Sequence, residues 1–227
     1  MNKPMLTDVS RVPQLCARAV LIATGSTYRR TNVPGEDDLI GAGIHFCATC
    51  DGPFYRGSKQ LLVLGGGNSG LEEGLFLTEF TDKVTLLEYG EHLRGSKVLQ
   101  DKVEMHPRME VFTSHAVKEF RPKEDGSGKL GTVVVEHRDD GELEELHPAG
   151  VFVFIGLEPN TGFLQGSVEL DAAGFVVTDM GLQTTMPGVF AAGDVRAGST
   201  KQLASAVGEG AAAAIAIRRY LERMETA

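Results

Sequence analysis

An α/β fold built on a parallel sheet is the architecture this sequence predicts, and three features predict it. Apolar runs of strand length recur at 18–24, 61–64, 84–87 and 151–155, each bounded by glycine or polar residues. The second run, Leu61-Leu62-Val63-Leu64, flows directly into Gly65-Gly66-Gly67. Beyond that turn Leu71, Leu75, Phe76 and Phe80 recur at helical spacing before the third run begins. Strand, glycine turn, helix and strand make one βαβ unit.

In chain order, Ala19-Val20-Leu21-Ile22-Ala23 reads as a buried strand stopped by Gly25-Ser26, and a connector containing Pro34-Gly35 follows. After the βαβ unit the texture changes. Residues 111–112, 116–120, 131–137 and 142–146 read as short strands broken by turns, with 123–129 a polar hairpin loop. The apolar run at 151–155 closes this region, and Pro159-Asn160-Thr161-Gly162 reads as a crossing between domains. Phe175-Val176-Val177 alternates like a strand, and 189–192 is another, ending in Gly193-Asp194. An alanine-rich helix is expected over about 201–222, interrupted by Gly208 and Gly210, which suggest close approach of something to the helix backbone or a tight helix–sheet contact.

The 227 residues carry 31 acidic and 22 basic side chains, a net charge of −9, with 42% hydrophobic and 23% charged residues. This is ordinary globular composition. It offers no field for nucleic acid, and Arg218-Arg219 reads as a solvated helix end. No apolar run is long enough for a membrane span and no secretory pattern is seen, so a cytoplasmic location is expected.

Three cysteines, Cys16, Cys47 and Cys50, are too few for a disulfide scaffold. Cys47-Ala48-Thr49-Cys50-Asp51 places two thiols three positions apart. If Cys50 opens a helical turn, Cys47 lies just before it, within disulfide reach and where a helix N-terminus favours thiolate. Asp51 adds a carboxylate for proton transfer. The alternatives are half of a zinc site completed by His45 and Cys16, or two inert buried cysteines.

Gly65-Gly66-Gly67-Asn68-Ser69-Gly70 matches Gly-x-Gly-x-x-Gly, with Gly65, Gly67 and Gly70 in the three required places. In a Rossmann unit the first glycine makes the turn, the second admits a pyrophosphate and the third lets helix and strand pack closely. Glu88 ends the next strand, roughly 20 residues on, where an acid accepts from the adenosine ribose and repels the extra phosphate of NADP. That spacing points to NAD(H); a purely structural turn and a solvated strand-end glutamate are the alternatives.

The order Cys-Ala-Thr-Cys-Asp-Gly, Gly-Gly-Gly-Asn-Ser-Gly, then Thr185-Met186-Pro187-Gly188-Val189-Phe190-Ala191-Ala192-Gly193-Asp194 resembles the low-molecular-weight thioredoxin reductases of bacteria and archaea. Ala23-Thr24-Gly25 and Lys201-Gln202-Leu203 extend the likeness. The resemblance implies a nucleotide-binding domain of the FAD/NAD(P) type, residues 35–155, inserted in a partial flavin domain made of 1–34 and 156–227. It implies electron flow from a nicotinamide nucleotide through FAD to Cys47–Cys50 and on to a thioredoxin-like protein disulfide, in a homodimer. Cys50 would meet the flavin, Cys47 would attack substrate and Asp51 would be the acid/base. Asp194, with Gly193, would hold the ribityl or phosphate side of FAD, and Lys201, Gln202 and Leu203 would flank its ring. Asn68 and Ser69 would lie at the nicotinamide nucleotide.

Two departures qualify the likeness. The family opens on its own FAD-binding glycine turn, which this sequence does not contain, so weak FAD retention is expected unless a separate N-terminal FAD-binding fragment completes the fold. The chain is then one half of a split flavoenzyme, or an inactive nucleotide- or partner-binding fragment. In addition, NADPH-using members carry His-Arg-Arg where this chain has Glu88-Tyr89-Gly90, and only Arg94 retains a matching arginine. NADH is therefore expected in preference to NADPH.

Overall fold

The computed structural model describes residues 16–226, and the first part of the expected segment 1–34 lies outside them. The chain divides into two compact units, one spanning Tyr28–Leu157 and one formed by the segments on either side.

The Tyr28–Leu157 unit is a three-layer arrangement. Its centre is a five-stranded parallel sheet of β3 (Ile44–His45), β10 (Gly150–Val153), β4 (Ser58–Leu64), β5 (Thr81–Leu87) and β6 (Met109–Phe112), in that spatial order. Leu62 lies opposite Thr85 on one side and Val151 on the other, so the register brings the ends of β4, β5 and β10 level. The period of two then sorts the apolar runs into two cores. Leu61, Val63, Val84, Leu86 and Phe152 face a helical layer, where Leu71 and Leu77 of α3 (Asn68–Leu77) and Val103 of α4 (Lys97–Glu104) meet them. Leu62, Leu64, Leu87, Val151 and Val153 face the other way. There an antiparallel meander of β7 (His115–Pro122), β8 (Leu130–His137) and β9 (Leu143–Leu146) covers them with Phe120, Leu130, Val133 and Val135. Leu39 of the short helix α1 (Glu36–Leu39) joins the same core. A sheet buried on both faces needs unbroken apolar strands, which is why 61–64 and 151–153 show no polar alternation.

The flanking unit holds a two-stranded parallel sheet of β1 (Val20–Ile22) and β12 (Val189–Ala191), with Val20 opposite Val189. Ile22, Val176, Ala191 and Val195 form its core with Leu164 and Val168. The long helix α5 (Leu203–Glu225) follows. Two short strands, β2 (Ser26–Tyr28) and β11 (Leu157–Pro159), pair where the chain passes between units.

Four sequence expectations need correction. Residues 111–112 belong to β6, the parallel edge of the main sheet, and not to the antiparallel middle. Helix α4 escaped notice because Val103 is its one buried residue and charges dominate its surface. Residues 175–177 make isolated bridges at Val176 instead of a strand. A Cβ on Gly208 or Gly210 would meet nothing within 4 Å among the described residues, so no close approach explains those glycines.

The same contrast separates glycines the fold requires from those it does not. Gly70→Ala puts a methyl 1.8 Å from the Gly65 carbonyl oxygen, and is expected to cost about 2–3 kcal/mol of stability in urea unfolding. Gly210→Ala fills open space in α5 and is expected to be neutral or stabilising by up to about 1 kcal/mol.

Candidate functional site

The redox hairpin is built from β3, α2 (Ala48–Asp51) and the turn of helix that follows at Gly52–Tyr55. Cys47 stands in extended conformation as the N-cap of α2, and its Sγ accepts a hydrogen bond from the Cys50 amide at 3.2 Å. The two sulfurs are joined in a disulfide with Cα atoms 5.3 Å apart. Cys47 is half-buried and Cys50 exposed, while Ala48 between them is fully buried in the helical-face core. Gly52 closes the anchor: a Cβ there would come within 3.0 Å of Leu77 and 3.1 Å of Phe80. The hairpin therefore rests on the C-terminal end of α3.

Asp51 turns one carboxylate oxygen toward His45, with Oδ2 3.3 Å from Nδ1. The other ring nitrogen, Nε2, lies 2.7 Å from the Tyr55 hydroxyl. Burial lowers the His45 pKa against the opposing pull of Asp51. Burial, with Asp51 adding to it, pushes the Tyr55 phenol up to about 12. His45 thus spends its nitrogens on Asp51 and Tyr55, and both sulfurs are bonded to each other, so these groups do not form half a metal site here. Cys16 is free and exposed. Phe54, beside the hairpin, is 84% exposed.

The glycine turn joins β4 to α3 as its sequence requires. Gly65 has φ +110°, and a Cβ on it would strike the Phe154 carbonyl. Gly67, the N-cap of α3, faces open space, with nothing within 4 Å of an added Cβ. That is the opening a phosphate needs at the N-terminus of α3. Asn68 is exposed and accepts a hydrogen bond from the Ser96 amide through Oδ1, at 2.7 Å; Ser69 is exposed beside it.

Glu88 is not a solvated glutamate. It is 1% exposed, and its two oxygens accept from the Gly66 amide at 2.6 Å and the Gly90 amide at 2.8 Å. Arg94 lies 3.5 Å away, its side chain largely in solvent. A cleft of about 310 Å3 opens here, lined by Gly65, Glu88, Tyr89 and Arg94 together with Arg30 and His115. Sequence reasoning missed Arg30, Tyr89 and His115. The basic pair Arg29-Arg30 in an acidic chain was the available signal, and the Arg30 guanidinium is engaged by Asp37 at 2.7 Å.

In the flanking unit Gly193 has φ +78° and turns the chain out of β12. Glu209 of α5 holds that turn, accepting from the Gly193 amide at 2.7 Å and from Arg196 at 2.6 Å. Beside it Asp194 keeps a buried Oδ1 with no hydrogen-bond partner. Lys201, at φ +56°, donates from Nζ to the Arg196 carbonyl and lies 4.0 Å from the Phe175 ring centroid. Gln202 caps α5, and Leu203 is 82% exposed.

Residues 5–210 match the family model described as pyridine nucleotide-disulphide oxidoreductase. The chain belongs to the pyridine nucleotide-disulphide oxidoreductase family. Within this family it is 36% identical over 214 residues to the thioredoxin reductase of Peptoclostridium litorale, covering 92% of this chain and 66% of that one. It is 40% identical to an alkyl hydroperoxide reductase of Escherichia coli K12, covering 94% of this chain and 40% of the relative. Among solved structures, thioredoxin reductase of Streptococcus pyogenes superposes with a TM-score of 0.83 at 38% identity, over 90% of this chain and 66% of that one. The chain thus spans two thirds or less of the length of these relatives. The Rossmann-type α/β architecture expected from the glycine turn is the family's, as are a parallel sheet and an antiparallel one.

The Glu209–Arg196 pair carries a testable pH dependence. Arg196 and the Gly193 amide hold the Glu209 carboxyl below its ordinary value, so the pair stabilises the fold fully above the unfolded glutamate pKa of about 4.3. That contribution disappears as pH falls through the lower folded value. Glu209→Gln is expected to lower stability at neutral pH and to flatten its acid dependence between about pH 5 and 3 in urea titrations. An unchanged slope in that window counts against the pairing.

Proposed function

We infer that this chain supplies the redox-disulfide and nicotinamide-nucleotide parts of a flavin-linked disulfide reductase of the thioredoxin-reductase type. The observation that carries the reading is the Cys47–Cys50 disulfide with Asp51 next to it in a chain of this family. After two-electron reduction, the Cys47 thiolate attacks a thioredoxin-like protein disulfide and expels one substrate thiolate. Cys50 then attacks the Cys47 sulfur and expels the second. Two thiols lose two electrons and two protons, and the substrate disulfide gains both. Asp51 takes up and returns the protons at sulfur. The order of roles within the pair rests on the resemblance alone.

The open position at Gly67 suits a pyrophosphate, and the neighbouring cleft suits the adenosine of the same nucleotide. Gly65 and Gly70 shape the turn, and Asn68 and Ser69 border it. Glu88 already holds two backbone amides, but each carboxylate oxygen keeps a further lone pair for a ribose hydroxyl. Its charge, with Tyr89 and Gly90 beside it, favours NADH over NADPH. Direct titration is expected to show NADH binding at least roughly tenfold tighter, a difference of about 1.4 kcal/mol. Tighter NADPH binding would overturn the assignment.

FAD fits the flanking unit at one point, the buried and unpartnered Oδ1 of Asp194, which a ligand hydroxyl would satisfy. Gly193 and Asp194 would hold the ribityl or phosphate side, with Lys201, Gln202 and Leu203 along the ring. Bound flavin supplies the two-electron transfer between nicotinamide and disulfide. The sequence has one Gly-x-Gly-x-x-Gly turn and it lies in the other unit, so this chain alone is expected to retain FAD weakly. A homodimer, or a separate FAD-binding fragment, would complete the site. The coverage of its relatives favours a second reading, a nucleotide- or partner-binding fragment without turnover.

Supplying FAD, NADH and a protein disulfide, with and without an N-terminal flavin-binding fragment, separates these readings. Turnover lost in both Cys47→Ser and Cys50→Ser is the expected result. Equal activity in wild type and both variants contradicts the disulfide's role.

A further inference from the structure

The Asp51–His45–Tyr55 chain is not explained by the redox pair itself. Three elements converge to build it: β3 supplies His45, α2 supplies Asp51 and the turn after α2 supplies Tyr55. The His45 ring is stacked on Phe152 of β10, with centroids 5.2 Å apart and an interplanar angle of 30°. Tyr55 meets the same Phe152 edge-on. Space for the phenol is made by Gly150, where a Cβ would come within 2.6 Å of the Tyr55 hydroxyl oxygen. A histidine clamped between apolar rings, with both nitrogens directed at polar partners, is held in one orientation.

We propose that His45 is a positioning residue for Asp51, held in its Nδ1–H tautomer by the Tyr55 hydroxyl, so that Asp51 exchanges protons with the Cys47–Cys50 pair as an oriented carboxylate. The tautomer follows from the partners. The Tyr55 phenol keeps its proton at neutral pH and donates it to Nε2, which leaves the ring proton on Nδ1, facing Oδ2 of Asp51. Burial keeps the imidazole neutral in the same range. Asp51 is the charged group that faces His45; β10 presents only the Phe152 ring. Among the described residues Oδ1 of Asp51 has no partner in the protein and is left for the thiol proton. The proposal rests on the reading of Cys47, Cys50 and Asp51 given above.

During dithiol oxidation each sulfur that forms the new bond gives up a proton, and Asp51 accepts it while His45 Nδ1–H continues to hold Oδ2. No electron passes through the relay. The Nδ1–H bond favours the ionised carboxyl, so removing it makes the base form available only at higher pH.

The full chain, reduced with a phosphine, is mixed with glutathione disulfide, and the rate at which Cys47–Cys50 re-forms is followed from about pH 5 to 9 by alkylation and mass. His45→Leu is expected to move the acid limb of the profile upward by on the order of one pH unit. Tyr55→Phe moves it the same way by less. His45→Asn, whose amide N–H replaces Nδ1–H, returns it toward wild type. In the oxidised chain, nitrogen NMR of His45 is expected to show a neutral ring protonated at Nδ1. Circular dichroism checks folding of each variant, and if His45→Leu does not fold, Tyr55→Phe, which removes a single oxygen, decides the matter. Should Asp51→Asn shift the limb while folded His45→Leu or Tyr55→Phe leaves it in place, the relay is overturned and the redox reading stands. A chain that does not exchange, or an Asp51→Asn profile identical to wild type, overturns both. An Nε2–H tautomer overturns the relay by itself.

Discussion

Close packing of α3 against the strand that precedes it is the contact on which the rest of the larger unit depends. The α carbon of Gly70 sits so near the Gly65 carbonyl that no side chain fits between them. That approach lays α3 flat on the sheet, drives Leu71 and Leu77 into the helical-face core and sets the N-terminus of α3 beside an open Gly67. The same helix supports the redox hairpin through Gly52, wedged against Leu77 and Phe80, and through Ala48 in the same core. One glycine contact thus positions both the phosphate opening and the disulfide, which explains how two sites of unrelated chemistry come to share one βαβ unit.

Buried acids perform a second, recurring task. Glu36 is 2% exposed and accepts from the amides of Thr31 and Asn32; Glu88 accepts from Gly66 and Gly90; Glu209 accepts from Gly193 and Arg196. Each carboxylate replaces lost water with backbone donors that would otherwise lack partners where the chain leaves regular structure. Burying such charges is costly unless they are bonded in this way. The three loops so held include the glycine turn and the Gly193–Asp194 turn, so the groups proposed to meet cofactor are held by acids from elsewhere in the chain.

Much of this was legible in the sequence, for reasons specific to each element. A doubly buried parallel strand must be apolar at every position, so 61–64 and 151–153 were visible at once. The glycines at 65, 67 and 70 announced the turn because backbone geometry excludes other residues at two of them. Helix α4 was hidden because only Val103 is fully buried, leaving no apolar stripe. Glu88 was legible as an acid at a strand end but not as a buried one, since its partners are backbone amides that carry no residue signature. His45 and Tyr55 stand ten positions apart on separate elements, and only the fold brings them together around Asp51.

The central claim is that Cys47 and Cys50 form a reversible two-electron couple in this chain. Equilibrating the full chain across a series of dithiothreitol couples, then alkylating and weighing it, tests that claim most directly. The account requires one transition in which two alkyl groups are gained together on Cys47 and Cys50, with Cys16 alkylated throughout. Absence of any transition, or one in which Cys47 or Cys50 exchanges with Cys16 instead of with its neighbour, would contradict it.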